Sequence, residues 1–184
     1  MYLQLNSISK VFRETKKETL QDISLEVEKG EFICIVGPSG CGKSTLLNLV
    51  AGLDSPTSGE ILLDGRAVTG PGADRVVMFQ EAALYPWLNV MENVMFGLEA
   101  AGHTKAEQKS IAQTYLKMVQ LWNYRDYPIH QISGGMKQRT ALARALALDS
   151  KLLLMDEPFS ALDKQTINIL RAELEAIWEK TKKT

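Results

Sequence analysis

The stretch Gly37-Pro38-Ser39-Gly40-Cys41-Gly42-Lys43-Ser44 carries the densest chemistry in this chain. It fits the spacing G-x-x-x-x-G-K-[ST], in which glycines let the backbone curl until its N–H groups face a polyphosphate. Lys43 adds a full charge within reach of β- and γ-phosphates, and the Ser44 hydroxyl can ligate Mg²⁺. A helix that starts near Gly42 and runs on through Thr45 aims about half a positive charge at the same place. A second group is Leu152-Leu153-Leu154-Met155-Asp156-Glu157, an apolar run that ends in two acids. Carboxylates at the tip of a buried strand stand where open α/β sheets bind their ligands. There Asp156 can hold Mg²⁺ directly or through water, while Glu157 orients and deprotonates an attacking water. The alternatives are a chance Gly-rich turn and a pair of solvated acids.

The elements around these residues are legible from periodicity. Phe32-Ile33-Cys34-Ile35-Val36 reads as a buried strand entering the loop, and Thr45 to Val50 as the helix leaving it. Upstream, Leu3 and Leu5, then Ile23, Leu25 and Val27, alternate with polar neighbours and predict two strands joined by the polar run Arg13 to Glu18. Downstream, Ile61-Leu62-Leu63 with Asp64-Gly65 predicts a strand and tight turn, and Arg75 to Phe79 a strand ending on Gln80. Residues 88–121 change character. Val90, Met91, Val94 and Leu98 recur at helical spacing, and Thr104 with Glu107 forms a capping box before the face Ile111, Ala112, Tyr115, Leu116 and Val119. Ser133 then caps a helix opened by Gly134 and Gly135 and running to Ala147, a second start with bare N–H groups. Taken alone, Ser-Gly-Gly before a helix is more often only a cap. Asp163 caps a last amphipathic helix, Lys164 to about Lys180.

Composition narrows the classes. The chain has 184 residues, 45% of them apolar, with 21 Lys plus Arg against 22 Asp plus Glu and a net charge of −1. One domain with a real core is expected, and no basic excess points to nucleic acid. Cys34 falls in the strand and Cys41 in the loop, so a mutual disulfide is not expected, and few cysteines suit a reducing compartment. The start Met1-Tyr2-Leu3-Gln4-Leu5 has no signal-peptide layout, and no apolar run approaches the roughly 18 residues of a membrane span. Any membrane role must go through a partner.

Taken together, Gly37–Ser44, Gln80, Ser133–Gln138, Asp156-Glu157 and Ser160-Ala161-Leu162-Asp163 resemble the ATP-binding cassette ATPases over nearly the whole chain. Gly70 to Arg75, Phe79-Gln80 and Leu84-Tyr85-Pro86-Trp87-Leu88-Asn89-Val90 look like the nitrate, sulfonate and taurine import group. The resemblance implies an α/β fold: a P-loop NTPase core with a parallel sheet (1–80 and 133–184), an antiparallel β subdomain and an inserted helical subdomain at 81–132. It implies ATP and Mg²⁺ as cofactors and a head-to-tail homodimer. Each ATP then lies between Gly37–Thr45 of one chain and Ser133, Gly134, Gly135 and Gln138 of the other, with Ser160–Asp163 crossing the interface. Phe12 falls where the family places an adenine-stacking aromatic, an ordinary core ring being the alternative. Gln80 senses the γ-phosphate and Mg²⁺, so the implied metal set is Ser44, Gln80 and Asp156, and the implied catalytic set Lys43, Gln80 and Glu157. Integral membrane permease subunits, and indirectly a solute-binding protein, are the implied partners. The place the resemblance implies is the cytoplasmic side of the inner membrane, peripherally. In the resembling family the region of Leu84 to Leu88 borders the groove that receives a permease helix, with internal packing as the alternative. Cys41 is expected to react with a maleimide and to be protected by MgATP.

The chain departs from the family in places. Ile132 stands where Leu is usual, and Thr140 where an apolar residue is preferred. The resembling ATPases place a γ-phosphate histidine on a strand beyond the last helix. Neither His103 nor His130 fills that role. The expectation is therefore a C-terminally truncated fragment of a longer parent. Its central sheet would be gapped between the Asp156 and phosphate-loop strands, and its isolated monomer would bind nucleotide poorly and turn over slowly. A non-hydrolysing nucleotide-binding fragment, a soluble non-transport cassette ATPase and a small phosphotransfer kinase are the rival readings; the last has no use for Ser133–Gln138.

Overall fold

The computed structural model describes residues 1–12, 16–159 and 162–184. The chain forms two compact units, Met1–Arg75 with Trp178–Thr184, and Val76–Ile177.

The first unit is built on an antiparallel sheet in the order β2-β1-β3-β4. Its strands are β1 (Leu3–Phe12), β2 (Lys17–Val27), β3 (Ser58–Leu63) and β4 (Arg66–Ala67). Leu3 and Leu5 pair with Val27 and Leu25, and both face inward. Strict alternation would turn Ser7 inward next. Instead the ladder slips between Leu5 and Ile8, Ser7 adopts a φ of 51°, and Ile8 returns fully buried to the core face. That is the work of a β-bulge. The predicted tight turn is present: Asp64 and Gly65 both have positive φ, and Leu63 pairs with Arg66. Two positive-φ residues match the right-handed twist of a hairpin. Lys17 and Glu18, read as loop, open β2 instead. Helix α1 (Lys43–Ala51) buries Leu46, Leu49 and Val50 and closes on Gly52, whose φ of 74° suits the C-terminal cap.

The expected buried strand Phe32–Val36 does not form. The segment has no β-ladder among the described residues, and Val36 is 84% exposed. Local β-propensity extends a backbone, but a strand exists only when neighbours satisfy its N–H and C=O groups. Trp178 does meet this segment's beginning, edge-on to Phe32 with ring centroids 5.9 Å apart, and its indole N–H donates to the Gly30 carbonyl at 2.8 Å.

In the second unit β5 (Arg75–Met78) and β6 (Leu152–Met155) pair as a two-stranded sheet, and β6 has no other partner strand among the described residues. Between them in sequence come α2 (Val90–Ala100), α3 (Lys105–Met118) and α4 (Gly134–Ala147); α5 (Lys164–Thr181) follows β6. The core joins Val90, Val94 and Leu98 of α2 to Ala112 and Leu116 of α3 and Ala143 and Leu146 of α4. Gly97 permits close packing here, since a Cβ there would lie 2.6 Å from a Leu148 methyl. Both Thr104–Glu107 and a second pair, Asn89–Glu92, form complete capping boxes, satisfying helix-start N–H groups reciprocally. Asp163 caps α5 as expected, accepting from the Thr166 N–H at 2.9 Å and its hydroxyl at 2.6 Å.

Candidate functional site

In the first unit the loop 37–44 turns into α1 without a side-chain cap. Gly42 is the N-cap residue at φ 103°, and no acidic residue occupies the first turn. A Cβ at Gly42 would lie 2.8 Å from a Leu20 methyl and 3.0 Å from the Thr19 carbonyl, so glycine is required there twice over, by conformation and by space. Gly37 is fixed differently: a Cβ there would stand 2.8 Å from the Cys41 sulfur. Lys43 curls back across the loop, its Nζ donating to the carbonyls of Gly37 at 3.0 Å and Pro38 at 3.1 Å. Ser44 and Cys41 are exposed, and Cys34 and Cys41 are free thiols. A glycine-lined curl, an uncapped helix start, a lysine and a hydroxyl form a donor set that fits an oxyanion with a hard cation. Phe12, at the end of β1, is 40% exposed, which leaves ring surface for contact.

The second unit holds the other predicted residues. Asp156 and Glu157 follow β6 directly, and the Asp156 N–H donates to the Met78 carbonyl of β5 at 2.9 Å. Glu157 has a φ of 46°. Positive φ in a residue with a Cβ costs about 1–3 kcal/mol where the surroundings enforce it, and such strain gathers at functional sites. The turn exposes the carboxylate, and Gln80 Nε2 donates to Glu157 Oε2 at 3.2 Å. Gln138, 3% exposed, donates in turn to the Gln80 carbonyl at 3.4 Å. Thus Gln80, Glu157 and Gln138, far apart in sequence, form one chain of contacts. Ser133 caps α4 through the Met136 N–H at 3.3 Å, and a Cβ on Gly134 would meet nothing within 4 Å, so this helix start is open on that side. Ser160 and Ala161 of the expected interface run lie outside the described residues. Among the described residues no cluster of three or more His, Cys, Asp and Glu could hold a metal ion.

Three positions were missed or unexplained in the sequence. Thr140 is fully buried, and its hydroxyl donates to the Met136 carbonyl at 2.8 Å, one turn back. A hydroxyl satisfied inside its own helix can replace an apolar side chain. Asn93 is also fully buried, on the apolar face of α2. It accepts from the Tyr85 N–H at 2.8 Å and donates to the carbonyls of Tyr85 and Asn89 at 3.2 and 2.9 Å. A lone Asn among valines and leucines at helical spacing was the available signal. Asn93 thereby pins the loop that carries Trp87, which is 74% exposed. Arg144 is the third: it donates to the carbonyls of Ala82 at 3.1 Å and Ala83 at 3.0 Å, and its guanidinium lies 5.6 Å from the Tyr85 ring centroid. Burial holds Arg144 below its ordinary pKa. Beside it runs a cavity of about 420 Å³, bounded by Val76, Phe79, Tyr85, Phe96, Arg144 and Leu148 among others.

Residues 20–160 match the family model described as ABC transporter. The chain is 52% identical over 184 residues to ABC transporter ATP-binding protein MJ0412 of Methanocaldococcus jannaschii, covering 99% of this chain and 69% of that protein. It is 48% identical to the nitrate import ATP-binding protein NrtD of Synechocystis sp., covering 98% and 68%. To the taurine import ATP-binding protein TauB of Pseudomonas aeruginosa it is 46% identical, covering 96% and 67%. Among solved structures, the dimeric bacterial ABC transporter cassette MJ0796 superposes with a TM-score of 0.91 at 32% identity, covering 99% of this chain and 85% of that one. The same cassette as a post-hydrolysis dimer bound to ADP and Pi gives 0.89.

Proposed function

The chain belongs to the ABC transporter family, as an ATPase of the P-loop α/β fold, and from that premise we propose that it binds MgATP and spends its hydrolysis on importing a small solute. Relatives named for nitrate, bicarbonate and taurine import make a small oxyanion or sulfonate the solute class we favour. The observation that carries the reading is the second unit's run of contacts. Gln80 touches the Glu157 carboxylate, and the chain passes within a few residues to the exposed Trp87. A partner that moves the Trp87 loop is thereby connected to the group we assign to water activation.

In this reading the N–H groups of Gly37 to Thr45 and the Lys43 ammonium bind the β- and γ-phosphates. Ser44, Gln80 and Asp156 are the residues that would hold Mg²⁺, which when bound would supply charge to offset the negative charge that builds on the phosphate oxygens during transfer. Glu157 takes the proton of a water attacking the γ-phosphorus, and the bond from that phosphorus to ADP breaks. Phe12 stacks on the adenine. Ser133, Gly134, Gly135 and Gln138 close over the γ-phosphate of a second copy, so two ATP molecules serve a homodimer. Residues 81–132 act as the helical insert that meets integral membrane subunits on the cytoplasmic face of the membrane, supplied in turn by a solute-binding protein. Among the described residues no helix is long and apolar enough to cross a membrane, which fits a peripheral subunit.

The experiment is co-expression of the chain with tagged membrane subunits of a nitrate, bicarbonate or taurine importer. Solute uptake that depends on this chain, with the chain recovered on the tagged subunits, supports the reading. Recovery of none, with ATP turnover intact, would favour a soluble cassette ATPase.

A further inference from the structure

Lys10 has an unusual set of neighbours for a strand lysine. Its Nζ lies 2.6 Å from Asp54 Oδ1 and 2.7 Å from the Ser55 carbonyl. It also stands 5.3 Å from the centroid of the Phe12 ring. The lysine side chain is only 11% exposed, against 38% for Asp54. Lys10 and Phe12 sit two positions apart on β1, a spacing that puts side chains on one face of a strand. The intervening Val11 is fixed by the Thr57 hydroxyl, which accepts from its N–H at 3.0 Å, while the Thr57 N–H donates to the Ser9 carbonyl at 2.8 Å. Residues 54–57 thus hold the end of β1 by both backbone and side chain.

We propose that Lys10, held by Asp54, is a positioning residue for the nucleoside base: its ammonium backs one face of the Phe12 ring so that an adenine stacks on the other. This rests on the reading of Phe12 as the base-stacking ring. The physical reason is the ring's quadrupole. An aromatic face is negative, so a cation on one side is attracted to it. The same cation draws electron density away from the opposite face, which lowers the repulsion met by the π-cloud of a stacked base. The ion pair with Asp54 limits where the ammonium can go, and with it the tilt of the ring. The hydrogen bond from Lys10 holds the Asp54 carboxyl below its usual range. Stacking on a ring already held in place loses less conformational freedom on binding.

The test compares dissociation constants of the full chain for ATP and for inorganic tripolyphosphate, both with Mg²⁺. Tripolyphosphate shares the phosphate contacts and has no base. The Lys10→Met chain should lose about two- to fivefold in ATP affinity, the range of an exposed cation–π contact, and nothing for tripolyphosphate. Lys10→Arg, which keeps the cation and the ion pair, should restore the ATP value. Asp54→Asn should resemble Lys10→Met more weakly. Equal losses for both ligands in Lys10→Met would make Lys10 a purely structural anchor and overturn the proposal. So would an unchanged ATP affinity in Lys10→Met alongside a weakened one in Phe12→Ala. If Phe12→Ala leaves the ATP-to-tripolyphosphate ratio untouched, or the unmodified chain does not prefer ATP, the stacking reading fails and takes the proposal with it.

Discussion

The Gln80 amide and the Glu157 carboxylate meet at 3.2 Å although 77 positions separate them. Gln80 leaves β5 and Glu157 leaves β6, and the pairing of those strands makes the contact. An amide that donates to a carboxylate fixes its orientation without taking its charge. Gln80→Ala should therefore lower both basal turnover and its stimulation by membrane subunits. Full stimulation in Gln80→Ala, measured in reconstituted membranes, would cut the link between the partner surface and Glu157.

Cys41 is exposed beside Gly37 in the loop. A maleimide should label it, and MgATP should slow that labelling by covering the loop. Cys34 is also exposed, so the comparison uses a Cys34→Ser chain. The same labelling rate with and without MgATP would place the nucleotide away from Cys41.

Trp87 is solvated and contacts Tyr85, with centroids 5.5 Å apart, and Tyr85 meets Phe96 in a tilted arrangement with centroids 4.2 Å apart. Exposed aromatics beside a groove mark docking surfaces, where a few such rings hold most of the binding energy. Trp87→Ala should melt near the unmodified temperature and bind ATP normally, yet lose capture by membrane subunits and uptake. Asn93→Ala is the converse. It leaves the Tyr85 N–H without its acceptor and should cost about 1–3 kcal/mol of stability in denaturant titration. Normal uptake with Trp87→Ala would return this patch to internal packing.

What could be read in advance follows from range in sequence. The turn at Gly42 into α1, the Thr104 and Asp163 caps and the Asp64-Gly65 turn depend on residues a few positions apart, and each stands as expected. Phe32–Val36 failed as a strand because a ladder is a property of neighbours, and an apolar β-branched run records only a preference. Gln80 and Glu157 were recognisable singly, but their contact needed the pairing of β5 and β6. Nothing in the sequence marks Lys10, since its partner Asp54 lies 44 positions away. Asn93 and Thr140 were opaque for another reason: a polar residue on an apolar face becomes intelligible only when its hydrogen-bond partner is known.

The central claim of the proposed function is that the loop at 37–44 and Glu157 have separable roles, the first in nucleotide binding and the second in water activation. Phosphate release from MgATP, measured with nucleotide affinity for the unmodified, Glu157→Gln and Lys43→Ala chains side by side, tests it most directly. Glu157→Gln should keep the affinity and lose about 10²–10⁴ in turnover, the usual weight of a general base, while Lys43→Ala should lose affinity first. Turnover in Glu157→Gln equal to that of the unmodified chain would contradict the account.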